Sequence, residues 1–373
     1  MKQAPLYEQI YKEIRNKIQS VEFKQGDKIP SEKELSEKYH VSRITSKKAV
    51  DMLAEAGMVI RMPGKGTFVI GNEERRAKEK ETETKEEKVS ERVIGVILDG
   101  FGPSFGCQML GGIEAECHRQ GCEMVFHCSY GSIEEETKAI DKLLALGVAG
   151  ILIMCVHDEN YNSRILQLVV EHFPVVTLDR QMKGIPVSFV GTDNEAAARE
   201  LTACLLEDGY RKICFAKPYA AETPTIQERM TGFRMAFHDY GIVPDEEIWM
   251  TDLKATLPRH YSEEQVEKDM GKVVRFVKDH PQIEAFVAVE YSIARIIYRC
   301  LWQLGLHKKC PVFCFDSSDN IMNEAMFTHV KQSEEKIGQL GVRILMDEIN
   351  GKKEKQHVLV PYQIVEATEV GWD

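Results

Sequence analysis

Residues 29–67, IPSEKELSEKYHVSRITSKKAVDMLAEAGMVIRMPGKGT, constrain the fold more than any other stretch, because the places where their pattern breaks are the places where helices and strands end. Ser31 and Glu34 stand in S-x-x-E spacing, the signature of a reciprocal cap, so a short helix opens there and runs through Tyr39. His40 and Val41 fit a tight turn, and Ser42 can cap a second helix that runs to about Ala56. That helix places Arg43, Thr45, Ser46, Lys47 and Lys48 in its first two turns, with Ala49, Val50 and Leu53 on one inward face. Gly57 ends it. Met58–Arg61 and Thr67–Ile70 then read as two strands joined by Pro63-Gly64-Lys65-Gly66. A helix with basic and hydroxyl groups at its N-terminal end, followed by a Gly-rich hairpin able to approach phosphates closely, predicts a small α/β winged helix-turn-helix domain.

The runs PLYEQIYKEIRNKI, PSEKELSEKYHVSRITSKKAVDMLAEAG and GKGTFV occur in order over residues 4–70, and together they resemble the N-terminal domain of the GntR family of bacterial transcriptional regulators. The resemblance implies double-stranded DNA as a partner. It places the contacts at Ser31, Glu32 and Lys33, at Ser42, Arg43, Thr45, Ser46, Lys47 and Lys48, and at Gly64, Lys65, Gly66 and Thr67 of the wing. The family usually has a β-branched residue or Leu after S-R-x-T and then a basic residue. Here Ser46 and Lys47 occupy those positions, so the basic residue is kept.

Charge supports a division of the chain. Residues 1–70 hold thirteen Lys and Arg against nine Asp and Glu, a net of +4, whereas residues 93–373 hold twenty-eight against forty-two, a net of −14. The local field is what meets a phosphate backbone, so the overall charge of −11 does not exclude nucleic acid. Between the two parts, Gly71–Arg92 (GNEERRAKEKETETKEEKVSER) carries almost no apolar residue before Val89 and is expected to be a linker without a core of its own. No leading apolar stretch and no run of eighteen apolar residues occurs, which predicts a soluble cytoplasmic protein with no membrane partner. The ten cysteines lie between Cys107 and Cys314 without paired C-x-x-C spacing, so they are expected to be buried free thiols with no metal site.

From Val93 onward, short apolar strands alternate with amphipathic helices: VIGVILD (93–99), CEMVFHC (122–128), GILIMCV (150–156) and PVVTLD (174–179) in one series. VSFVGTD (187–193), KICFA (212–216), AFVAVE (285–290) and PVFCFD (311–316) form a second. One helix between successive strands implies parallel β-α-β units, hence two doubly wound sheets with a ligand cleft between them at the carboxyl ends of the strands. Asp99, Asp179, Asp193, Glu290 and Asp316 stand at those ends. Asp193 also precedes a helix that it could equally cap.

This part resembles the effector domain of the LacI/GalR repressors, which shares its fold with periplasmic sugar-binding proteins. FPVVTLDR, VGTDNEAAARELTACLLEDGYRKI, RMTGF, PVFCFD and the closing VKQSEEKIGQLGVRILMDEINGKK carry the likeness. It implies that Arg229 and Asp316 hold ligand hydroxyls, with Asp179 as a third contact. Two departures stand out: Val289-Glu290 where Asn-Asp is common, and Ala367 where an Arg is usual. Phe101, Phe105, Tyr130, Tyr219 and Phe315 could stack on a sugar face or belong to the core, and Trp302 suits packing or an interface.

A GntR-type head on a LacI-type sensor resembles the arabinose-responsive repressors of Gram-positive bacteria. It implies a homodimeric regulator that reads a palindromic operator and responds to a small sugar, with no cofactor and no catalysis. Neither G-x-G-x-x-G after the first strand nor G-K-[ST] occurs in the large domain, which weighs against an enzyme. Limited proteolysis of the full chain should cut first among the Lys and Arg residues of 71–92. Equal resistance of that segment and its flanks would show that it is packed. Arg43→Ala should weaken specific operator binding by about 1–3 kcal/mol, and undiminished affinity at matched salt would displace Arg43 from the base-reading surface.

Overall fold

The computed structural model describes residues 5–20, 22–24, 26–56, 58–62, 66–69, 92–156, 161–219, 223–318 and 324–368, in two compact units, Met1–Ser90 and Glu91–Asp373. Gly57, Gly64, Lys65 and the expected linker up to Glu91 lie outside the described residues.

In the first unit, three helices, Leu6–Gln19, Glu32–Lys38 and Arg43–Glu55, pack around Ile10, Ile14, Leu35, Val50 and Leu53. The predicted cap is reciprocal: Ser31 Oγ accepts from Glu34 N at 3.3 Å, and Glu34 carboxylate accepts from Ser31 N at 2.7 Å. Ser42 Oγ accepts from Thr45 N at 3.2 Å and starts the third helix. Strands β1 (Val59–Met62) and β2 (Gly66–Val69) pair antiparallel with Arg61 opposite Thr67. The Arg61 guanidinium ties this hairpin to both helices, through Glu32 at 2.8 Å and Asp51 at 2.6 Å.

The second unit adds β3 (Arg92–Leu98), β4 (Cys122–Cys128), β5 (Ile151–Ile153), β6 (Val175–Leu178), β7 (Ser188–Thr192), β8 (Ile213–Pro218) and β9 (Met250–Leu253). It continues with β10 (Ala285–Ala288), β11 (Val312–Phe315), β12 (His329–Gln332), β13 (His357–Val360) and β14 (Tyr362–Val365). They form two six-stranded sheets with orders β13-β7-β6-β5-β3-β4 and β14-β12-β11-β10-β8-β9. The first is parallel throughout, and in the second only β14 runs antiparallel to its neighbour.

The expected architecture of two doubly wound sheets holds, with one correction of membership. β7 belongs to the first sheet, pairing with β6 at Leu178 and Val190, and does not begin the second series. The β6–β7 connection contains no helix, so an alternation count assigns the strand to the wrong side. The chain then passes between lobes three times: after β7 at Thr192–Asn194, after β12 at Gln332–Glu334, and between β13 and β14 at Pro361. Helix Glu334–Ile349 returns to the first lobe, where Ile337, Val342 and Leu345 share a core with Ile94, Leu98, Met109 and Ile113. In the second lobe, helix Pro224–Asp239 lies so close to helix Asn194–Glu207 that a Cβ on Gly232 would sit 2.1 Å from the Glu195 carbonyl oxygen. That approach fixes Arg229, almost one turn earlier on the same helix, towards the space between the lobes.

Candidate functional site

On the head, Arg43, Lys47 and Lys33 are exposed. Lys48 stands 4.0 Å above the Tyr7 ring, which gives it a packing role besides its charge. Ser46 departs from its expected role. It is fully buried and donates to the Glu32 carbonyl at 2.8 Å and to the Arg43 carbonyl at 3.1 Å, so its hydroxyl joins the two helices and faces no solvent. Glu32 is held by Arg61, and Ser31 and Ser42 act as caps. Thr45 Oγ1 lies 2.9 Å from Ser42 Oγ, and Gly66 and Thr67 are half-buried on the wing strand. Ile44, outside the expected contacts, is 81% exposed on the recognition helix, where an apolar group suits a base methyl.

The two lobes of the second unit enclose a cleft of about 640 Å³. Its walls are built by the same device twice. β6 ends in Leu178-Asp179 and β11 in Phe315-Asp316, and both aspartates take left-handed backbone conformations, φ 61° and 65°. Each donates its N–H to the neighbouring strand, Asp179 to Val190 O at 2.9 Å and Asp316 to Val330 O at 3.0 Å. Aspartate tolerates this region better than most residues, yet the strain is of order 1–2 kcal/mol and directs both carboxylates into the cleft.

Arg229 faces Asp316 from within the second lobe. Nε donates to Asn194 Oδ1 at 2.8 Å, Nη1 donates to Val289 O at 2.5 Å, and the guanidinium lies 3.8 Å from the centre of the Phe315 ring. Across the cleft, Arg180 pairs with Asp99 at 2.6 Å and donates to Cys155 O at 3.0 Å. Gln332, at the second crossing, donates to Asp316 Oδ1 at 2.8 Å. Burial pushes the Asp316 carboxyl up to about 7, opposed by Arg229 and Gln332 and reinforced by Asp179 and Glu290. Burial raises Asp179 and Glu290 as well, and it lowers Arg229 against the pull of Asp316. For a carboxyl the raised value means that ionisation opposes folding as the pH climbs through it, so a ligand that donates to the carboxylate relieves that cost.

Buried polar atoms on these walls that have no hydrogen-bond partner among the described residues include Asp99 Oδ1, Asp179 Oδ1, Arg180 Nε and Gln332 Oε1. Such groups are costly unless a ligand or water meets them, which marks the cleft as a site for a molecule with several donors and acceptors. Of the expected ligand residues, Asp99, Phe105, Asp179, Arg229, Glu290 and Asp316 line this space. Asp193 does not. Its carboxylate accepts from Ala196 N at 2.9 Å and caps the helix at the first crossing. Among the aromatics, Tyr219 lines the cleft under the Lys254 ammonium, 4.6 Å away, and Phe315 lies buried beneath Arg229. Phe101 packs edge-on against Phe126. Arg180 and Gln332 escaped the sequence reading, although Arg180 follows Asp179 directly in L-D-R and Gln332 closes V-K-Q just before a helix.

The lobes touch at the mouth. Gly131 of the first lobe has φ 70°, and a Cβ there would sit 2.6 Å from Pro258 Cβ of the second. On another side Lys183 reaches Glu228 at 3.1 Å. Gly131→Ala should hold the lobes apart and weaken ligand binding about tenfold or more, the added methyl also standing 3.5 Å from Asp99 Oδ1. Replacing Pro258 by Gly in the same chain should recover part of that loss, because it removes the clash and leaves only the backbone strain. Unchanged affinity in Gly131→Ala, measured by calorimetry, would mean that this contact does not accompany binding.

Comparison with known proteins agrees with both units. The family described as bacterial regulatory proteins, gntR family, matches residues 6–69, and the family described as periplasmic binding protein domain matches residues 94–353. The arabinose metabolism transcriptional repressor of Geobacillus stearothermophilus is 24% identical over 314 residues, covering 82% of this chain and 79% of the relative. Among solved structures, the transcription regulator CcpA of Lactococcus lactis superposes with a TM-score of 0.63 at 18% identity, over 74% of this chain and 98% of that one. GanP, a glucose-galactose binding protein from Geobacillus stearothermophilus, gives 0.62 at 19% identity, again over 74% and 98%. The structural likenesses establish the fold. No described helix is long and apolar enough to cross a membrane. The chain belongs to the periplasmic binding protein domain family and carries the DNA-binding domain of the gntR regulatory proteins at its N-terminal end, which makes it a DNA-binding transcription regulator and not an enzyme.

Proposed function

We propose that this regulator represses genes of sugar metabolism and leaves its operator when a small sugar fills the cleft, with a pentose such as arabinose as the first candidate. The observation that carries the reading is the ring of buried, unpartnered oxygen and nitrogen atoms at Asp99, Asp179, Arg180 and Gln332, together with the Arg229–Asp316 pair. A polyhydroxyl ligand offers a donor and an acceptor at every hydroxyl, so it can meet carboxylates and guanidinium groups in the same plane. Four carboxylates, Asp99, Asp179, Glu290 and Asp316, outnumber Arg180, Arg229 and Lys254 on the lining, which favours a neutral sugar over a phosphorylated one. The likeness to the arabinose metabolism transcriptional repressor of Geobacillus stearothermophilus supports arabinose as the first candidate.

Release follows from linkage. If the sugar prefers closed lobes and closure disfavours the arrangement of two heads on a palindromic operator, each ligand weakens the other by one coupling free energy, typically about 1–3 kcal/mol. A cytoplasmic homodimer is part of the proposal, because one head reads only a short half-site. Arg229 is a poor first target for mutation: removing it strips Asn194 Oδ1 and Val289 O of their donor and uncovers Phe315. Asp316→Asn is cleaner, since it keeps shape and an oxygen for Gln332 while losing the charge that hydroxyls bond to. It should fold, hold operator DNA, and require roughly 10- to 100-fold more arabinose for release. Anisotropy titrations of labelled operator with and without arabinose decide this. Release of the variant at the parent's arabinose concentration removes Asp316 from the site, and tighter DNA binding in the presence of arabinose overturns release as the mechanism.

A further inference from the structure

The cleft does not end at its charged walls. Beside Thr256 and Glu290 lies an adjoining chamber of about 600 Å³, and Ser104, Leu257, Pro258 and Tyr291 line both spaces. A single sugar ring held between Arg229 and Asp316 therefore leaves this second volume empty. Its chemistry differs from that of the first. Tyr261, Pro103, Val266 and Ile296 supply apolar surface, while Ser292 and Ser318 supply hydroxyls. Flat aromatic faces and scattered hydroxyls suit the alternating apolar and polar sides of a sugar ring.

The wall shared by the two spaces is a built element. Residues 254–260 form consecutive turns, with Leu257 N donating to Lys254 O at 3.0 Å and His260 N donating to Leu257 O at 3.1 Å. Asp269, fully buried, accepts from Lys254 N and from Ala255 N, each at 2.7 Å, and so fastens the start of this loop to helix Glu263–Asp279. A buried carboxylate committed to two backbone donors fixes the loop's course. Tyr261 follows at its end, 76% exposed, and lines the chamber without lining the inner cleft.

We propose that this chamber is a second saccharide subsite, so that a disaccharide with its first ring at Arg229 and Asp316 and its second against Tyr261 binds more tightly than the single sugar. The inference rests on the cleft being a sugar site and names the class of sugar. Arg259 and Arg295 also line the chamber, so a sugar phosphate is the competing outcome of the test.

The experiment titrates the full chain by calorimetry with matched pairs: arabinose and arabinobiose, glucose and cellobiose, galactose and lactose, with glucose 6-phosphate as the charged control. In at least one pair the disaccharide should bind about tenfold tighter than its monosaccharide. Tyr261→Ala should erase most of that gain and leave monosaccharide affinity as it was. Tyr261 is exposed, so its removal leaves no cavity in the core. Monosaccharides that bind as tightly as their disaccharides, a gain that survives in Tyr261→Ala, or tighter binding of the phosphate would each overturn the second subsite while keeping the sugar reading. Failure of every saccharide to bind would instead overturn the sugar reading, and the second subsite with it.

Discussion

The Arg229 guanidinium is the interaction on which the sensor's geometry depends. It lies over the Phe315 ring, takes Asn194 from the first crossing as one acceptor and Val289 from the end of β10 as another, and faces Asp316. Burial of a guanidinium is tolerable only with such dense compensation. The same bonds that orient it for a ligand therefore also register three elements of the second lobe against one another. Gly232 makes this possible from beneath by letting two helices approach closely enough to present the arginine at the cleft.

Local features were legible in the sequence, and non-local ones were not. Ser31 and Ser42 could be read as caps because capping is settled within four residues, and the strand-ending aspartates could be read because parallel sheets gather ligands at one edge. Ser46 could not be read correctly. Its acceptor at Glu32 lies in another helix, and a serine on a basic helix looks the same in sequence whether it faces solvent or packs inward. Asp193 suits a cap and a ligand contact equally in sequence, and the hydrogen bond it accepts from Ala196 N makes it the cap. Alternation of strands and helices counts elements without saying which neighbours they pair with, so it cannot place β7 beside β6. Nothing local marks Arg180, whose partner, Asp99, lies far back along the chain.

The two lobes repeat one solution in unrelated residues. V-V-T-L-D and V-F-C-F-D both end a central strand with an aspartate in the left-handed region, supported by the same hydrogen bond to the next strand. What differs is the partner: Arg180 reaches across to Asp99 in one lobe, whereas Arg229 stacks on an aromatic ring in the other. A ligand between them meets two walls of similar backbone geometry and dissimilar electrostatics, which lets a small asymmetric molecule bind in one orientation.

The three passages between lobes bear on how the protein comes into being on the ribosome. The first sheet lacks its outer strand β13, and its core lacks helix Glu334–Ile349, until nearly the whole chain has been made. The second sheet likewise waits for β14. The described strands and helices of the head all lie within the first seventy residues, and it can form long before. During synthesis there is thus an interval in which a DNA-reading domain exists and no sensor governs it. Only emergence of the last forty or so residues makes the protein answerable to a ligand.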